Sequence, residues 1–271
     1  MFRRLGLALA AVLVLAPAAF AAAPSFIAQQ GGSGVATPDG SLRFIAKEAP
    51  GKATTIQAFR GGTMVASKTI DGAFGVPVLP NGSGGTYADG IFRDGSAFLL
   101  QSVGFGASTE FRIVSSDDLS VRDSFALKGI FSYDALSPDG RTLYLTQHTS
   151  AEDVAHYVVR AYDLRAHALR TGRIADKTQR GWVMQGFPAT RVTSATGRWV
   201  YTMYANPNGY PFVHALDTVA GKAHCVGFAS PGDGAVFNGR LALKGPKLQV
   251  RLPDGSVWRV IDLKSWRVTK R

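Results

Sequence analysis

The chain has 271 residues, 46% of them hydrophobic, and a formal net charge of +11 at pH 7. That hydrophobic share argues against a disordered or low-complexity chain and supports a sizeable folded core. A single cysteine, Cys225, excludes an intrachain disulfide. The apolar run around Cys225 predicts a buried small hydrophobe rather than a nucleophile or a metal ligand.

The first 23 residues read as a secretory signal peptide. Arg3 and Arg4 supply a positive start, an apolar run follows from Leu5 to Leu15, and small residues suited to cleavage end at Ala23. The run is short for a membrane span. A bacterial lipid anchor is not expected either, because there is no cysteine near the cleavage site. We therefore expect residues 24–271 to form one domain outside the cytoplasm, secreted or periplasmic.

Removing the two arginines of the leader still leaves a basic chain. A basic secreted protein is compatible with an anionic envelope component as a partner. Aromatic and basic residues do not interleave in the way of single-strand binders, so nothing favours nucleic acid. The basic residues are spread along the sequence and predict a solvated surface.

One short stretch, Ser137 to Thr146, is a tight turn followed by a strand. Pro138 presets the backbone for a type I turn, Asp139 bonds backbone groups beyond it, and Gly140 tolerates positive φ. The residues from Thr142 onward are strong strand formers. This stretch predicts the second strand of a hairpin.

Imperfect copies of the turn recur along the chain. Aligned on the Asp, Thr or Asn before a glycine, the copies are centred on Asp39, Asp94, Asp139, Thr196 and Asn238. Five residues past each of these stands a large apolar or aromatic residue, namely Phe44, Leu99, Tyr144, Tyr201 and Leu243. Repeats of about 40 to 50 residues built from short strands are typical of propeller blades.

The segments between repeats also yield predictions. Pro24 to Gly32 is a weakly structured lead-in. The alternative is that Pro24 to Gln30 adds an outer strand to blade five. Residues 71–85 are rich in Gly and Pro and predict a long surface loop. Pro253-Asp254-Gly255 is out of register and is interpreted as a turn inside the fifth repeat. The fold class predicted is all-β, a β-propeller of about five four-stranded blades, with six left open.

The motif Ser-Pro-Asp-Gly-Arg-Thr-Leu-Tyr at 137–144 resembles the repeat of the YVTN-type, WD40-like β-propellers of bacterial secreted proteins. Tyr-Asp-Leu at 162–164 and Leu-Asp-Thr at 216–218 resemble the strand and turn that follow in that family. The resemblance covers most of residues 24–271 and is strongest in repeats three and four. It implies the fold and leaves the activity open, because relatives include binding proteins and lactonase-like enzymes.

Known catalytic signatures are missing from the sequence. There is no G-x-S-x-G elbow, no phosphate-binding loop and no H-E-x-x-H motif, and no cofactor is expected. His148 and His156 fall eight residues apart across a predicted loop, where we expect exposed polar side chains rather than a metal site.

The repeat register places several polar residues together. Five residues before each turn centre stand Gly34, Asp89, Asp134, Arg191 and Asp233. In a propeller these residues begin the innermost strands and converge at the mouth of the central channel. They could hold a cation or a small polar ligand there. The alternative, which we favour, is that they only join neighbouring blades and balance charge.

Loops between second and third strands open on the same face in a propeller. They contribute the further ligand-binding candidates Gln147, His148, Tyr204, Asn206 and Tyr210. The preferred interpretation is a binding or scaffold protein that contacts a partner or ligand through one face. A lactonase-like or other metal-dependent hydrolase is the alternative, and a structural envelope protein with a basic surface is the third. Catalytic residues are not predicted, and the sequence leaves open whether the protein is an enzyme.

Overall fold

The computed structural model describes residues 26–80, 86–151, 153, 155–179, 181, 183–206, 210–228 and 238–270. Within these residues the chain forms 23 short strands and a three-residue 3-10 segment at Lys177–Gln179. None of the described segments is a helix with the length and apolarity needed to cross a membrane.

The strands build five antiparallel sheets, which follow one another along the chain as propeller blades. The first strand is β1 (Ile27–Gln29), which pairs with a strand of blade two. Blade one contains β2 (Val35–Ala36), β3 (Arg43–Ala49), β4 (Ala53–Arg60) and β5 (Thr63–Asp71). Blade two contains β6 (Phe74–Pro80), β7 (Thr86–Ala88), β8 (Ala97–Ser102), β9 (Ser108–Ser115) and β10 (Val121–Lys128).

The remaining three blades use the same strand order. Blade three contains β11 (Phe131–Leu136), β12 (Thr142–His148), β13 (His156–Asp163) and β14 (Ala168–Leu169), with β15 (Met184–Gln185) paired to β13. Blade four contains β16 (Phe187–Thr193), β17 (Trp199–Ala205), β18 (Phe212–Asp217) and β19 (Lys222–Gly227). Blade five contains β20 (Arg240–Lys244), β21 (Lys247–Arg251), β22 (Val257–Asp262) and β23 (Val268–Lys270). The predicted fold class, an all-β propeller of about five blades, is confirmed.

The recurring turn has the hydrogen bonds that its residues predict. The Ser137 hydroxyl donates to Asp139 Oδ1 at 2.6 Å, and the same oxygen accepts the Arg141 N–H at 3.1 Å. The Ser137 bond holds the pKa of Asp139 below its ordinary value. An aspartate that caps its own turn in this way fixes the hairpin between β11 and β12.

Blade five departs from the predicted register. In blades three and four the residue after the third strand donates its N–H to the turn between the first and second strands, here called the inner turn. Leu164 donates to the Arg141 carbonyl oxygen, and Thr218 donates to the Arg198 carbonyl oxygen. The matching bond in blade five runs from Leu263 to Pro246 O at 2.9 Å. The inner turn of blade five is therefore at 244–247, and the assignment to Asn238-Gly239 was wrong. Pro253-Asp254-Gly255 is a turn within the blade, between β21 and β22, as predicted.

The Gly- and Pro-rich segment after Asp71 is not the predicted surface loop over its first part. Residues 74–79 lie in strand β6 and are buried. Residues 81–85 lie outside the described part of the chain. Pro77 is accommodated in the strand, and its carbonyl oxygen accepts the Asp89 N–H at 3.1 Å.

The lead-in segment also differs from both predicted outcomes. Strand β1 pairs antiparallel with β6, with Ile27 opposite Val78 and Gln29 opposite Val76. It therefore belongs to blade two rather than to the outer edge of blade five. Gly75 makes this pairing possible, because a Cβ atom there would lie 2.6 Å from the Gln29 backbone nitrogen.

Hydrophobic cores lie between successive blades. One cluster joins blades one and two, another joins two and three, a smaller one joins three and four, and the last joins four and five. Among the described residues, no such cluster contains members of both blade five and blade one. Strand β6 instead contacts β16 of blade four, so the two sides of the ring meet across the centre.

Phe26, just before β1, tests whether this central packing stabilises the fold. It is 2% exposed and meets Tyr133 edge-on, with 5.2 Å between ring centroids. We expect Phe26→Ala to lower the free energy of unfolding by about 3–5 kcal/mol, as for other buried aromatic truncations. Urea unfolding followed by tryptophan fluorescence measures the loss.

The matched control for this substitution is Phe105→Ala, because Phe105 is 55% exposed. We expect that control to change the free energy of unfolding by no more than about 0.5 kcal/mol. A loss below about 1 kcal/mol for Phe26→Ala would contradict a packing role for the lead-in segment.

Candidate functional site

The central channel contains a buried ion pair between blades three and four. Arg191 on β16 donates through Nη1 to the carbonyl oxygen of Asp134 on β11, and through Nη2 to Asp134 Oδ1. The two side chains are 1% and 3% exposed. Arg191 Nε also donates to Thr202 Oγ1 at 2.9 Å. Three of the hydrogen-bonding groups of this guanidinium are thus occupied by the protein itself.

Phe26 covers the guanidinium from the channel side. The central carbon of the Arg191 guanidinium lies 4.6 Å from the Phe26 ring centroid, within the range of a cation–π contact. The Phe26 ring also approaches Tyr87, with centroids 6.4 Å apart. The Arg191 guanidinium is therefore covered by an aromatic ring of the lead-in segment.

Asp89 lies near this pair, as the register predicts. The Gly90 N–H donates to Asp89 Oδ1 at 2.8 Å, and the Tyr133 side chain hydrogen-bonds the carboxylate. Burial raises the pKa of Asp89, while the charge of Arg191 opposes that rise. Burial alone would lower the pKa of Arg191, but the charges of Asp134 and Asp89 hold it above its ordinary value.

The repeat register thus brings three of its five residues together, Asp89, Asp134 and Arg191. Gly34 has no polar side chain to add, and a Cβ atom there would collide with the Phe44 carbonyl oxygen. Asp233 lies outside the described residues, and the turn of blade five at 244–247 removes it from the matching register position. Nowhere in the described ranges do three His, Cys, Asp or Glu side chains lie close enough to hold one metal ion.

Sequence reasoning missed a polar row that continues from the ion pair across blade four. The row follows directly opposed residues on successive strands, Arg191, Thr202, His214 and Cys225. His214 is 1% exposed, and its Nδ1 lies 3.5 Å from the Cys225 sulfur. Only strand pairing reveals this row, since its members are eleven or twelve positions apart in sequence.

Two buried polar atoms beside this row have no hydrogen-bond partner in the described structure. They are Asp134 Oδ2 and His214 Nε2. Burial lowers the pKa of His214 from 6.5 to about 4, so the ring is neutral at pH 7. Cys225, predicted to be a buried small hydrophobe, is half-buried, and burial raises the pKa of its thiol to about 12.

The second group of candidates lies where the β8–β9, β12–β13 and β17–β18 connections meet one face of the propeller, here called the loop face. His148 and Tyr204 are 5% and 2% exposed, so the expected exposure of His148 was wrong. Both are members of an aromatic series beneath this face. Successive ring centroids are 5.0–6.1 Å apart in the order Phe105, His148, Tyr157, Tyr204, Phe212.

Other side chains of the loop face reach solvent. Val103 and Phe105 on the β8–β9 connection are 44% and 55% exposed, and Tyr210 on the β17–β18 connection is 61% exposed. Asn206 and Tyr210 line a cleft of about 340 Å³ together with Phe212. Gln147 is committed to the fold, since its Oε1 accepts from Arg160 Nη1 at 2.8 Å.

Comparison with known proteins identifies the fold alone. No family model matches the sequence, and no curated protein matches it. The chain is similar in structure to the propeller of Dos1, with a TM-score of 0.50 and 8% identity over 87% of this chain and 56% of that one. The propeller domain of the Trilobed protease from Pyrococcus furiosus has a TM-score of 0.48 and 14% identity over 87% and 69%.

TolB from Acinetobacter baumannii is a further similar structure. It has a TM-score of 0.44 and 18% identity over 82% of this chain, which spans about half of that protein (51%). At 8% identity the likeness to the Dos1 propeller shows the fold alone and leaves the activity open.

Because the ion pair is buried, we expect the free energy of unfolding to fall strongly when one of its partners is removed. Arg191→Met leaves the Asp134 carboxylate buried without a counter-charge, so we expect the free energy of unfolding to fall by about 3–5 kcal/mol. Adding Asp134→Asn should restore part of that loss, because the buried charge is then gone. Urea unfolding of both variants measures the two values.

The control is Arg170→Met, which removes the pair with Asp163 at a site where the two side chains are 50% and 28% exposed. That change should cost about 0–1 kcal/mol. Equal losses at Arg191 and Arg170 would show that the buried pair is no more important than a surface one.

His214 predicts a pH dependence of stability. Its pKa is about 4 in the folded chain and near 6.5 when unfolded, so the unfolded state binds more protons between those values. Stability should therefore be complete above pH 6.5 and fall by about 3 kcal/mol as the pH drops towards 4. Asp134, Arg191 and Asp176 are the charged groups that act on this ring.

Urea unfolding of the original chain and of a His214→Phe variant at several pH values measures this contribution as the difference between the two pH profiles. His214→Phe keeps a buried ring without a titrating group and should lose less stability than the original chain over pH 6.5–4. Identical pH profiles for the two proteins would show that His214 is not buried in its neutral form.

Proposed function

We propose that the chain is a secreted β-propeller that binds a protein partner through its loop face. Secretion rests on the leader-like Met1 to Ala23 segment. Binding rests on one observation, namely that exposed apolar side chains project from the loop face while the polar channel centre is closed. Apolar and aromatic side chains left exposed on one face mark interaction sites.

The closed channel argues for a structural role of the central polar residues. Arg191 and Asp134 form an ion pair whose side chains are 1% and 3% exposed, and the Phe26 ring covers the Arg191 guanidinium. A ligand would have to displace both the lead-in segment and the Asp134 bonds to reach the guanidinium. We therefore infer that Asp89, Asp134 and Arg191 join blades rather than bind a ligand.

The loop face has the features of a protein-binding surface. Phe105 and Tyr210 provide large, exposed rings, and Tyr210 stands at the edge of the 340 Å³ cleft. The rings from His148 to Phe212 form a packed layer, and the Phe105 ring contacts the first of them, His148, with centroids 6.1 Å apart. A partner side chain that fills the cleft beside Tyr210 would make the central contact of the interface.

The hydrolase alternative has less support. It requires a metal held by some of Asp89, Asp134 and Asp233, and in the described structure Asp134 is paired with Arg191. No second function is proposed for this reason.

Site-specific photo-cross-linking tests the binding proposal in cells of the organism that encodes the chain. A photoreactive residue placed at Phe105 or Tyr210 should give a discrete cross-linked species that contains another protein. The Phe105→Ser and Tyr210→Ser changes, combined in one chain, should weaken binding of the protein so identified by at least about tenfold, since each lost aromatic anchor costs about 1–2 kcal/mol.

Val219 and Val268 are matched control positions, because they are 63% and 37% exposed and lie away from the loop face. No cross-link is expected from either position. Cross-linking from the control positions but not from Phe105 or Tyr210 would refute the proposed face. Absence of any protein cross-link at the loop face would refute it too.

A further inference from the structure

A second cleft, separate from the loop face, lies at the outer edge between blades three and four. Its volume is about 810 Å³. One wall is the segment 173–178, which connects the two blades, and the other is 221–224 at the start of β19. Ala175 and Asp176 form the partition between this cleft and the one beside Tyr210.

Three cationic side chains line this cleft, Arg173, Lys177 and Lys222. None of them forms an ion pair within 4.0 Å in the part of the chain that the structure describes. Asp217 stands directly opposite Lys222 on β18, but its carboxylate is held by Arg198 Nη2 at 2.7 Å. The positive charge of the cleft is therefore not neutralised by these neighbours.

Among the described residues that line the cleft, Asp176 is the one acidic residue, and its carboxylate is hydrogen-bonded within the fold. It is 4% exposed, and its Oδ1 accepts the Thr178 N–H at 2.9 Å and the Thr178 hydroxyl at 2.7 Å. Its Oδ2 accepts the Cys225 N–H at 3.0 Å. These bonds tie the connecting segment to β19 and give the cleft a fixed wall.

The same carboxylate orients a fourth side chain. His224 Nδ1 lies 2.7 Å from Asp176 Oδ2, and the His224 ring packs against Trp266 with centroids 4.5 Å apart. Held from both sides, the ring lines the cleft in one orientation. The Arg173 side chain is also positioned, since its Nη1 donates to the Gly181 carbonyl oxygen at 3.2 Å.

We propose that this cleft binds an anion that carries phosphate or carboxylate groups. Three cations in one concave site concentrate positive potential there, and a guanidinium suits the paired oxygens of such groups. The volume lies within the range of small-ligand sites, and Ile174 and Ala223 add apolar surface for the body of the ligand. A free small anion and an anionic group on an envelope polymer share this chemistry.

Isothermal titration calorimetry of the chain without residues 1–23 tests the proposal with three probes, pyrophosphate, citrate and long-chain polyphosphate. We expect at least one probe to bind. Binding of pyrophosphate or citrate assigns the cleft to a free small anion, whereas binding of polyphosphate alone assigns it to a polymer. No binding of any probe at low salt would overturn the proposal.

A pair of double variants with equal charge change locates the binding. Lys177→Gln with Lys222→Gln should weaken it by about tenfold or more, since two charge-assisted contacts are lost. Lys47→Gln with Lys68→Gln removes two exposed lysines of blade one and should weaken it by less than about twofold. Equal weakening by both pairs would show diffuse attraction to a basic surface and would also overturn the proposal.

Discussion

The ion pair between Arg191 and Asp134 is the interaction on which the centre of this propeller depends. Removing two charges from water costs several kcal/mol each, and only good geometry offsets that cost. Here the guanidinium bonds both the backbone and the side chain of Asp134, as well as Thr202. Blades three and four are thus joined at the channel by a buried contact between opposite charges.

This pair explains how the rest of the channel is built. Asp89 and Tyr133 lie on one side of Arg191, and the Phe26 ring covers it. The lead-in strand pairs with β6, and β6 meets β16 across the centre. In the described residues no hydrophobic cluster contains members of both blade five and blade one. We therefore infer that these central contacts stabilise the propeller in place of a core between its last and first blades.

Much of the fold could be predicted because each blade repeats a local signal. The turn at Asp139 and its copies are read from neighbouring residues, and four of the five predicted apolar positions, Phe44, Leu99, Tyr144 and Tyr201, are buried. The same register brought Asp89, Asp134 and Arg191 together. The turn of blade five was assigned wrongly because Asn238-Gly239 resembles the repeated turn sequence. The actual turn at 244–247 lacks the aspartate of that sequence.

The features that could not be predicted depend on contacts between distant segments. Gly75 and Pro77 indicate a loop by local propensity, yet Gly75 is the residue that lets β1 approach β6. Thr202 and His214 belong to the polar row only because strand pairing places Thr202 opposite Arg191 and His214 opposite Thr202. Asp176 Oδ2 accepts the N–H of Cys225 on β19, 49 positions along the chain. No pattern within a single repeat contains that information.

Amide hydrogen exchange of the lead-in strand tests the central claim most directly. The account predicts that peptides covering 27–29 and 76–78 exchange as slowly as those of the buried strand β12, because β1 and β6 are paired inside the channel. Exchange of residues 27–29 within seconds, with β12 still protected, would show an open channel. The polar residues around Arg191 would then be accessible to a ligand, and their structural assignment would be wrong.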